Sequence, residues 1–398
     1  MKRTVLITGG HISPAIALIQ ELSRREDYSI HFIGRRYAFS EAKDRTSFEY
    51  ETITSFSIPF TDLQSPRFPS RMSRKTMLFP FILLSKIITA AKILRKIRPG
   101  AVISFGGYIS APVVMAAWLL HIPVIMHEQT IAPGRANRML SRYARSMCIA
   151  WEESRKYFPS SVQKRCILTG LPIRDEIRSL TKESLHTPNS QKTIYITGGS
   201  SGSHRINQVV LDVLPQMLKR YHIIHQCGDS HFHDYEKLIE KRASLPSDLK
   251  KQYEVYKYIS LKQIASILHQ ADIMVGRSGA NTIIEIALIA KPAILIPLPE
   301  SAFNEQKKQA DLLEKKGSAI ICDQQTLTPD RLINTVDNLF KKLKYYQVNA
   351  QSYAHTEEIS RHRMAHARLA DSIDDCIRGR RNMVSESNNT DSGPDSDS

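Results

Sequence analysis

Short apolar, β-branched runs alternate along the chain with longer stretches whose apolar residues recur every three or four positions. Residues 4–8 form the first run and stop at Gly9-Gly10; residues 14–24 follow with Ile16, Ile19 and Leu22 at helical spacing. Further runs at 30–33, 101–104 and 123–126 repeat the motif. This rhythm predicts a parallel sheet flanked by helices. It restarts at residues 193–197, which lead into Gly198-Gly199-Ser200-Ser201-Gly202, with a helical stretch at 206–218 and strands at 222–225, 253–256, 272–275 and 293–296. The pattern therefore predicts an α/β protein of two Rossmann-like domains, residues 1–170 and 171–345. The joint falls in Leu168-Thr169-Gly170-Leu171-Pro172, where the periodicity breaks. Residues 346–380 are expected to form a C-terminal helical segment that packs back on the first domain. Residues 179–191 read as a polar linker. Residues 381–398 read as a disordered tail, since 385–398 hold no apolar side chain to offset the entropy of ordering.

Composition narrows the class. The 398 residues suit two or three domains, and 42% hydrophobic with 24% charged is ordinary for a globular protein. The five cysteines are odd in number, widely spaced and without a CxxC pair, which disfavours a disulfide framework or zinc ribbon and suggests reduced thiols. No apolar stretch is long enough to span a bilayer, and the run after Met1-Lys2-Arg3 is too short for a signal peptide. The net charge of +16 favours an anionic partner: nucleic acid, an acidic membrane or a phosphorylated substrate. Half of that excess lies in residues 62–100, with nine Lys and Arg against one acid. From Pro80 onward this segment is amphipathic: Lys86, Thr89, Lys92 and Lys96 on one side; Phe81, Leu84, Ile87, Ile88 and Leu94 on the other. It reads as a helix for an anionic membrane surface or as a domain helix with a solvated basic face. Nucleic-acid binding lacks the interleaved aromatics it would need.

Three turns share the order strand, small residues, helix: Thr8-Gly9-Gly10-His11, Gly198-Gly199-Ser200-Ser201-Gly202-Ser203 and Arg277-Ser278-Gly279-Ala280-Asn281-Thr282. Glycine admits a ligand close to the backbone, and the N–H groups of the following helix then face it, which suits a diphosphate. No Walker A or GxGxxG sequence occurs, so ATPase and simple dehydrogenase readings lose their main support. Glu285, three residues after Thr282, reads either as the far half of a capping box with Thr282 as N-cap or as a ribose ligand. His11 at a helix start reads as a general base or as a surface turn residue. His127-Glu128-Gln129, at a strand's carboxyl end, could serve acid–base work or fix a loop. His225, His231, His233 and Asp234 match no usual zinc spacing. The one DxD, Asp395-Ser396-Asp397, lies in the tail, so no metal–diphosphate site is expected in the fold.

Together these segments resemble the MurG family, inverting UDP-N-acetylglucosamine (UDP-GlcNAc) transferases that act on the undecaprenyl-linked muramyl peptide, lipid I. The similarity covers about residues 4–340. It rests on Thr8–Ala15, on Ser104-Phe105-Gly106-Gly107-Tyr108-Ile109-Ser110, on His127-Glu128-Gln129 with Pro133-Gly134 and Asn137, on Gly198–Ser203 with Asn207-Gln208, and on Arg277-Ser278-Gly279-Ala280 with Thr282 and Glu285. The resemblance implies the GT-B architecture, two Rossmann-like domains facing a cleft. For the donor it implies Arg174, Ser200, Gly202, Ile259, Ala280, Asn281, Thr282, Glu285 (now favoured as ribose ligand) and Gln306. For the acceptor it implies Thr8, Gly9, Gly10, Gly107, Tyr108, Thr130 and Asn137, with His11 as base on the muramyl 4-hydroxyl and Glu128 as its catalytic companion. Phe79, Phe81, Leu84 and Trp118 fall where the family carries a membrane-facing apolar patch.

The implied reaction gives lipid II for peptidoglycan synthesis. It needs no cofactor and no metal held by the fold. The implied partners are UDP-GlcNAc, lipid I, an anionic membrane surface and other cell-wall synthesis proteins, at the cytoplasmic face of the plasma membrane and without nucleic acid. Four positions depart from the family pattern. The first loop lacks a further Gly-Gly, Thr130 replaces an asparagine, Ser201 replaces a glutamine, and Glu305-Gln306 with Gln309 alters the donor-sugar segment. The rival readings are another GT-B lipid glycosyltransferase of diacylglycerol type and an inactive membrane-bound scaffold.

Overall fold

Val5, Leu6 and Ile7 are fully buried in β1 (Arg3–Thr8), which lies inside a parallel sheet covered on both faces. That double cover is why the strand reads as a continuous apolar run instead of an alternating one. The computed structural model describes residues 2–37, 46–65, 74–180, 191–199, 201–230 and 232–379. The expected tail, most of the expected linker and Ser200 lie outside the described residues.

The first sheet contains β1, β2 (Tyr28–Gly34), β3 (Phe60–Asp62), β4 (Ala101–Ser104), β5 (Val124–Glu128), β6 (Ser146–Ile149) and β7 (Cys166–Leu168). Its order is β3-β2-β1-β4-β5-β6-β7, parallel throughout. The second contains β8 (Thr193–Thr197), β9 (His222–Gln226), β10 (Tyr253–Tyr256), β11 (Ile273–Gly276), β12 (Ala293–Leu295) and β13 (Ala319–Ile321). Its order is β10-β9-β8-β11-β12-β13, again all parallel. In each sheet the order reverses once, between β1 and β4 and between β8 and β11. Ligands of open α/β sheets sit in the crevice at that switch, outside the carboxyl ends of the strands. All the glycine loops singled out in the sequence lie at these two points.

Several elements differ from the sequence expectation. β3, β6, β7 and β13 were not anticipated; each is only three or four residues long. The basic amphipathic helix runs Arg74–Ile97, six residues further upstream than expected, and accommodates Pro80 in its interior. The segment after His233, not anticipated as an element, is the helix Asp234–Ser244, which seats Leu238 in the core. The Thr282 capping box does not form. The helix Ala280–Leu288 starts at Gly279, so Thr282 and Glu285 already lie inside it.

The last described residues form three helices, Leu343–Ala354, Glu357–Arg363 and Ala365–Ile377. The last returns to the first sheet, where Leu369, Ala370, Ile373 and Cys376 share a core with Val5, Ile7 and Leu18. Asp374 accepts from the Tyr28 hydroxyl at 2.6 Å and pairs with Arg3.

Two histidines hold the crossing point between the sheets. His127 Nε2–H donates to the Gly170 carbonyl at 2.9 Å, and Leu171 N–H donates to His362 Nδ1 at 2.8 Å. Gly170 has φ +84°, and a Cβ there would lie 3.1 Å from the Arg361 carbonyl, so the returning helix passes against bare backbone. Burial pushes His127 down to about 4 and His362 to about 3. Both are therefore neutral in the folded chain and titrate near 6.5 once unfolded. The unfolded state binds the extra protons, so stability present above pH ~6.5 is lost as the pH falls toward these lowered values. Denaturant midpoints measured from pH 7 to 4 are expected to decline steadily, and His362→Gln should flatten the slope.

Candidate functional site

β1 and β4 deliver two glycine loops to the first switch point, and these are stitched together. Gly10 N–H donates to the Gly106 carbonyl at 3.0 Å. Gly9 (φ +141°) lies so close to Phe105 that a Cβ would meet its backbone nitrogen at 2.8 Å, and Gly107 (φ +83°) abuts Gly10. Thr8 is buried at the end of β1. Its Oγ1 has no partner among the described residues. Tyr108 follows the second loop with the Arg35 guanidinium 5.8 Å from its ring, and its carbonyl accepts from Ser65.

His11 caps the start of the helix Ile12–Arg24 by position only, with no side-chain capping bond. Its ring is open to solvent, yet the protein around it lowers its pKa, opposed by the charge of Glu128. The ring is neutral and unprotonated at one nitrogen at neutral pH, as a base must be.

Glu128 is itself buried, and both of its carboxylate oxygens are engaged. Oε1 accepts from Thr130 N–H at 2.9 Å and from Thr130 Oγ1 at 2.7 Å, and Oε2 accepts from Asn137 Nδ2 at 2.8 Å. Glu128, Thr130 and Asn137 thus form one buried knot that fixes the loop after β5. Expected from the resemblance as a catalytic group and two acceptor contacts, they are turned inward. The influence of Glu128 on the site runs through its charge on His11. Threonine in place of asparagine at position 130 is accommodated, because its hydroxyl reaches Glu128.

At the second switch point, β8 enters the loop 198–203 and β11 enters Arg277-Ser278-Gly279. Gly202 (φ +72°) packs on the turn after β9, where an added Cβ would stand 2.1 Å from the Cys227 carbonyl oxygen. Only glycine fits there. Gly202→Ala should displace this loop and weaken binding of the expected nucleotide at least about tenfold while lowering stability by roughly 1–3 kcal/mol, as calorimetry and denaturation would show.

Ser203 is the N-cap residue of the helix His204–Met217, and its Oγ accepts from Arg277 Nη2 at 2.6 Å. Arg277 also donates to Gln324 and to the Ile296 carbonyl at 3.0 Å. It has no acidic partner among the described residues, and burial pushes it down to about 10. It remains a cation, held by neutral acceptors behind a helix N-terminus. Arg277 was quoted in the sequence motif but not assigned to the site; its contacts span 19 to 74 positions and leave no local trace.

Arg174 and Glu285 meet at 2.8 Å, 14% and 17% exposed. Their separation of 111 residues hides the pair from the sequence. Arg174, expected at the diphosphate, is therefore turned to the expected ribose carboxylate. Arg174 Nε and Asn281 Oδ1 are buried without a partner among the described residues. Ala280, Asn281 and Thr282 form the first turn of the helix above Glu285. Ile259 sits just before the helix Leu261–Gln270, with its side chain in the core that also holds Ile283 and Ile284. Gln306 is fixed from both ends: its carbonyl accepts from Ser278 Oγ at 2.8 Å, and its Oε1 accepts from Leu298 N–H at 3.0 Å.

Two neighbours of Gln306 stand out. Gln309 is buried with both amide atoms lacking a partner among the described residues. Glu305 is pushed up to about 7 by burial and by the charge of Glu128 from the other sheet. The two halves also touch at the cleft rim, where Phe48 stacks on Tyr258 at 5.4 Å and Arg138 lies 5.5 Å from the Phe303 ring. Of the residues without zinc spacing, His225 bonds Tyr253 and Asn207, and Asp234 bonds His204, Asn207 and Ser230, while His231 lies outside the described residues.

Comparison with known proteins agrees with this geometry. Residues 7–149 match the glycosyltransferase family 28 N-terminal domain, and residues 193–368 match its C-terminal domain. The UDP-N-acetylglucosamine–N-acetylmuramyl-(pentapeptide) pyrophosphoryl-undecaprenol N-acetylglucosamine transferase of Clostridium perfringens is 31% identical over 87% of this chain and 92% of its own length. A Bacillus cereus transferase of the same description is 30% identical over 90% of this chain and 97% of its own length. The crystal structure of Acinetobacter baumannii MurG superposes with a TM-score of 0.64 and 26% identity, covering 94% of this chain and 99% of that one. With two parallel sheets meeting at their switch points in the GT-B arrangement, the chain belongs to glycosyltransferase family 28, in its MurG branch.

Proposed function

We propose that the protein transfers N-acetylglucosamine from UDP-GlcNAc to the 4-hydroxyl of the muramyl sugar of lipid I, with inversion, to give lipid II. The observation that carries this is His11: a neutral, solvent-open imidazole at the first switch point, opposite a second one built for a nucleotide diphosphate. The relatives' shared description supplies the donor and the acceptor.

In the reaction the acceptor oxygen attacks the anomeric carbon from the His11 side. Its proton passes to the unprotonated ring nitrogen of His11. The bond from the anomeric carbon to the diphosphate oxygen breaks, and UDP departs with the bonding pair. The charge that develops on the diphosphate meets the N-termini of His204–Met217 and Ala280–Leu288 and the cations Arg277 and Arg174. Preorganised donors of this kind contribute about 3–4 kcal/mol each to the transition state. Glu285 accepts the ribose hydroxyls, and Gln306 meets the sugar. This donor set stabilises the leaving group without a metal ion, so EDTA is expected to leave initial rates within about twofold, against the 10²-fold or greater loss seen when a whole electrostatic stabiliser is removed.

The same reading places the chain at the cytoplasmic face of the plasma membrane, bound peripherally. Among the described residues no helix is long and apolar enough to cross a bilayer. The helix Arg74–Ile97 instead exposes Leu78, Phe81, Leu84 and Ile88 beside its lysines, with Phe81 72% exposed, and Trp118 adds an exposed indole from the neighbouring helix. Phe79 is part-exposed on the same helix. An apolar patch rimmed by cations suits an anionic lipid surface.

Calorimetry with UDP-GlcNAc, UDP-glucose and UDP-galactose tests the donor. Selective binding of the first supports the reading. Selective binding of another would point to a different lipid glycosyltransferase, and no binding to a scaffold.

A further inference from the structure

The first switch point is poorer than the second in groups that hold an anion. Gly10 N–H is spent on the Gly106 carbonyl, and Gly106 N–H on Ser104 Oγ at 3.2 Å. The helix Ile12–Arg24 carries Pro14 in its first turn, so one of the N–H groups a helix start would offer is missing. Neither loop, Thr8–His11 nor Phe105–Tyr108, contains a Lys or Arg. The acceptor proposed above nevertheless carries a diphosphate, whose charges need cations.

β2 supplies two. It pairs with β1 so that Ile33 lies beside Thr8, and it ends at Gly34, which leaves Arg35 and Arg36 beside the first glycine loop. β1 lies between β2 and β4, so the approach of the Arg35 guanidinium to Tyr108, 5.8 Å from the ring, crosses the end of β1. The Arg36 guanidinium lies 5.1 Å from the Tyr50 ring and 5.7 Å from that of Tyr37. The backbone beneath them is pinned. Arg35 N–H donates to Glu49 Oε2 at 2.9 Å, Arg36 N–H to Asp62 Oδ1 at 3.0 Å, and Ser47 N–H to the Arg36 carbonyl at 2.8 Å. These two carboxylates thus engage main chain. Burial also pushes Glu49 up to about 7, so at neutral pH it carries only part of a charge. A guanidinium laid on an aromatic face can still meet a phosphate edge-on with its fork.

We propose that Arg35 and Arg36 form the subsite for the acceptor's diphosphate. The phosphate oxygens would take the two guanidinium forks, and the sugar that hangs from the diphosphate would lie over the glycine loops toward His11. Bidentate contacts of this kind fix orientation as well as affinity. The inference rests on the transfer reaction proposed above and names the groups that hold the charged end of the acceptor.

The test is transfer kinetics with a soluble lipid I analogue bearing a short prenyl chain, so that membrane binding plays no part. Arg36→Gln should raise the acceptor KM about tenfold and Arg35→Gln/Arg36→Gln about a hundredfold, since each charged hydrogen bond lost corresponds to about tenfold or more. Removing binding shared by ground and transition states leaves kcat unchanged, and UDP-GlcNAc affinity should be unaltered. Arg36 is exposed, so its single variant stays informative if the double variant disturbs Tyr108. Arg135→Gln makes the same charge change on the exposed start of the helix after β5 and should raise the KM about threefold or less. An unchanged KM in Arg36→Gln, or an equal rise in Arg135→Gln, would overturn the subsite. An analogue without the peptide should show the same ratio of variant to wild type. A ratio that vanishes would overturn the diphosphate and assign the arginines to peptide carboxylates. Calorimetry with geranyl diphosphate, with UDP saturating the donor site, separates this inference from the reaction. If the wild type transfers nothing to lipid I, the reaction falls. Geranyl diphosphate bound by the wild type and at least about tenfold more weakly by the double variant would still support the subsite, and none bound would overturn it.

Discussion

His11→Ala is expected to lower kcat by about 10²–10⁴ with little change in UDP-GlcNAc affinity, because general-base catalysis contributes about that much and the role proposed for His11 is on the acceptor. The wild-type pH profile should carry its signature. Desolvation by the protein packed around the mouth of the loop lowers the His11 pKa although the residue is exposed, against the opposing charge of Glu128, so the acid limb of kcat/KM should lie below the ordinary histidine value of about 6.5. Below that limb the ring is protonated and cannot accept the acceptor's proton; above it the base is available. Glu128→Gln removes the opposing charge and should move the limb further down, while disturbing the loop that Thr130 and Asn137 anchor. A rate left unchanged by His11→Ala would remove it from the role of base.

The second large effect is expected at the Arg174–Glu285 pair. Glu285→Ala should weaken UDP-GlcNAc binding about a hundredfold. Two hydrogen bonds to a carboxylate contribute about 1.5 kcal/mol or more each, and about 3 kcal/mol corresponds to that factor. The same change leaves Arg174 without its partner at 14% exposure. A fully buried ion pair costs about 3–5 kcal/mol when one member is removed, and this partly exposed pair should cost less. Glu285→Gln, which keeps the shape and loses the charge, should fall between wild type and alanine in both assays. Unaltered affinity in Glu285→Ala would defeat the ribose assignment.

Much of the architecture was legible because parallel strands covered on both faces leave a strong signal. β4, β8 and β10 agree with the apolar runs residue for residue, and the glycine loops that end β1, β4 and β8 are visible as breaks in those runs. β3, β7 and β13 were missed because a three-residue strand carries no periodicity. The start of Ala280–Leu288 was misread because its N-cap is Gly279, which has no side chain to announce it. The site divides the same way. Residues adjacent in the chain, such as His11 or the loop glycines, could be singled out from their setting. The contacts that decide their chemistry could not: Glu285 meets Arg174, Ser203 meets Arg277, and Glu305 feels Glu128 from the opposite sheet. For Glu128 the residues alone left acid–base work and fixing a loop both open, and its bonds to Thr130 and Asn137 show the second use.

The most direct test of the account is transfer of labelled N-acetylglucosamine from UDP-GlcNAc to lipid I in detergent micelles, run with the wild type and with His11→Ala. The account predicts labelled lipid II from the wild type, and its near-complete loss in the variant while calorimetry still finds UDP-GlcNAc bound. Wild-type protein that binds UDP-GlcNAc yet transfers nothing to lipid I would contradict it.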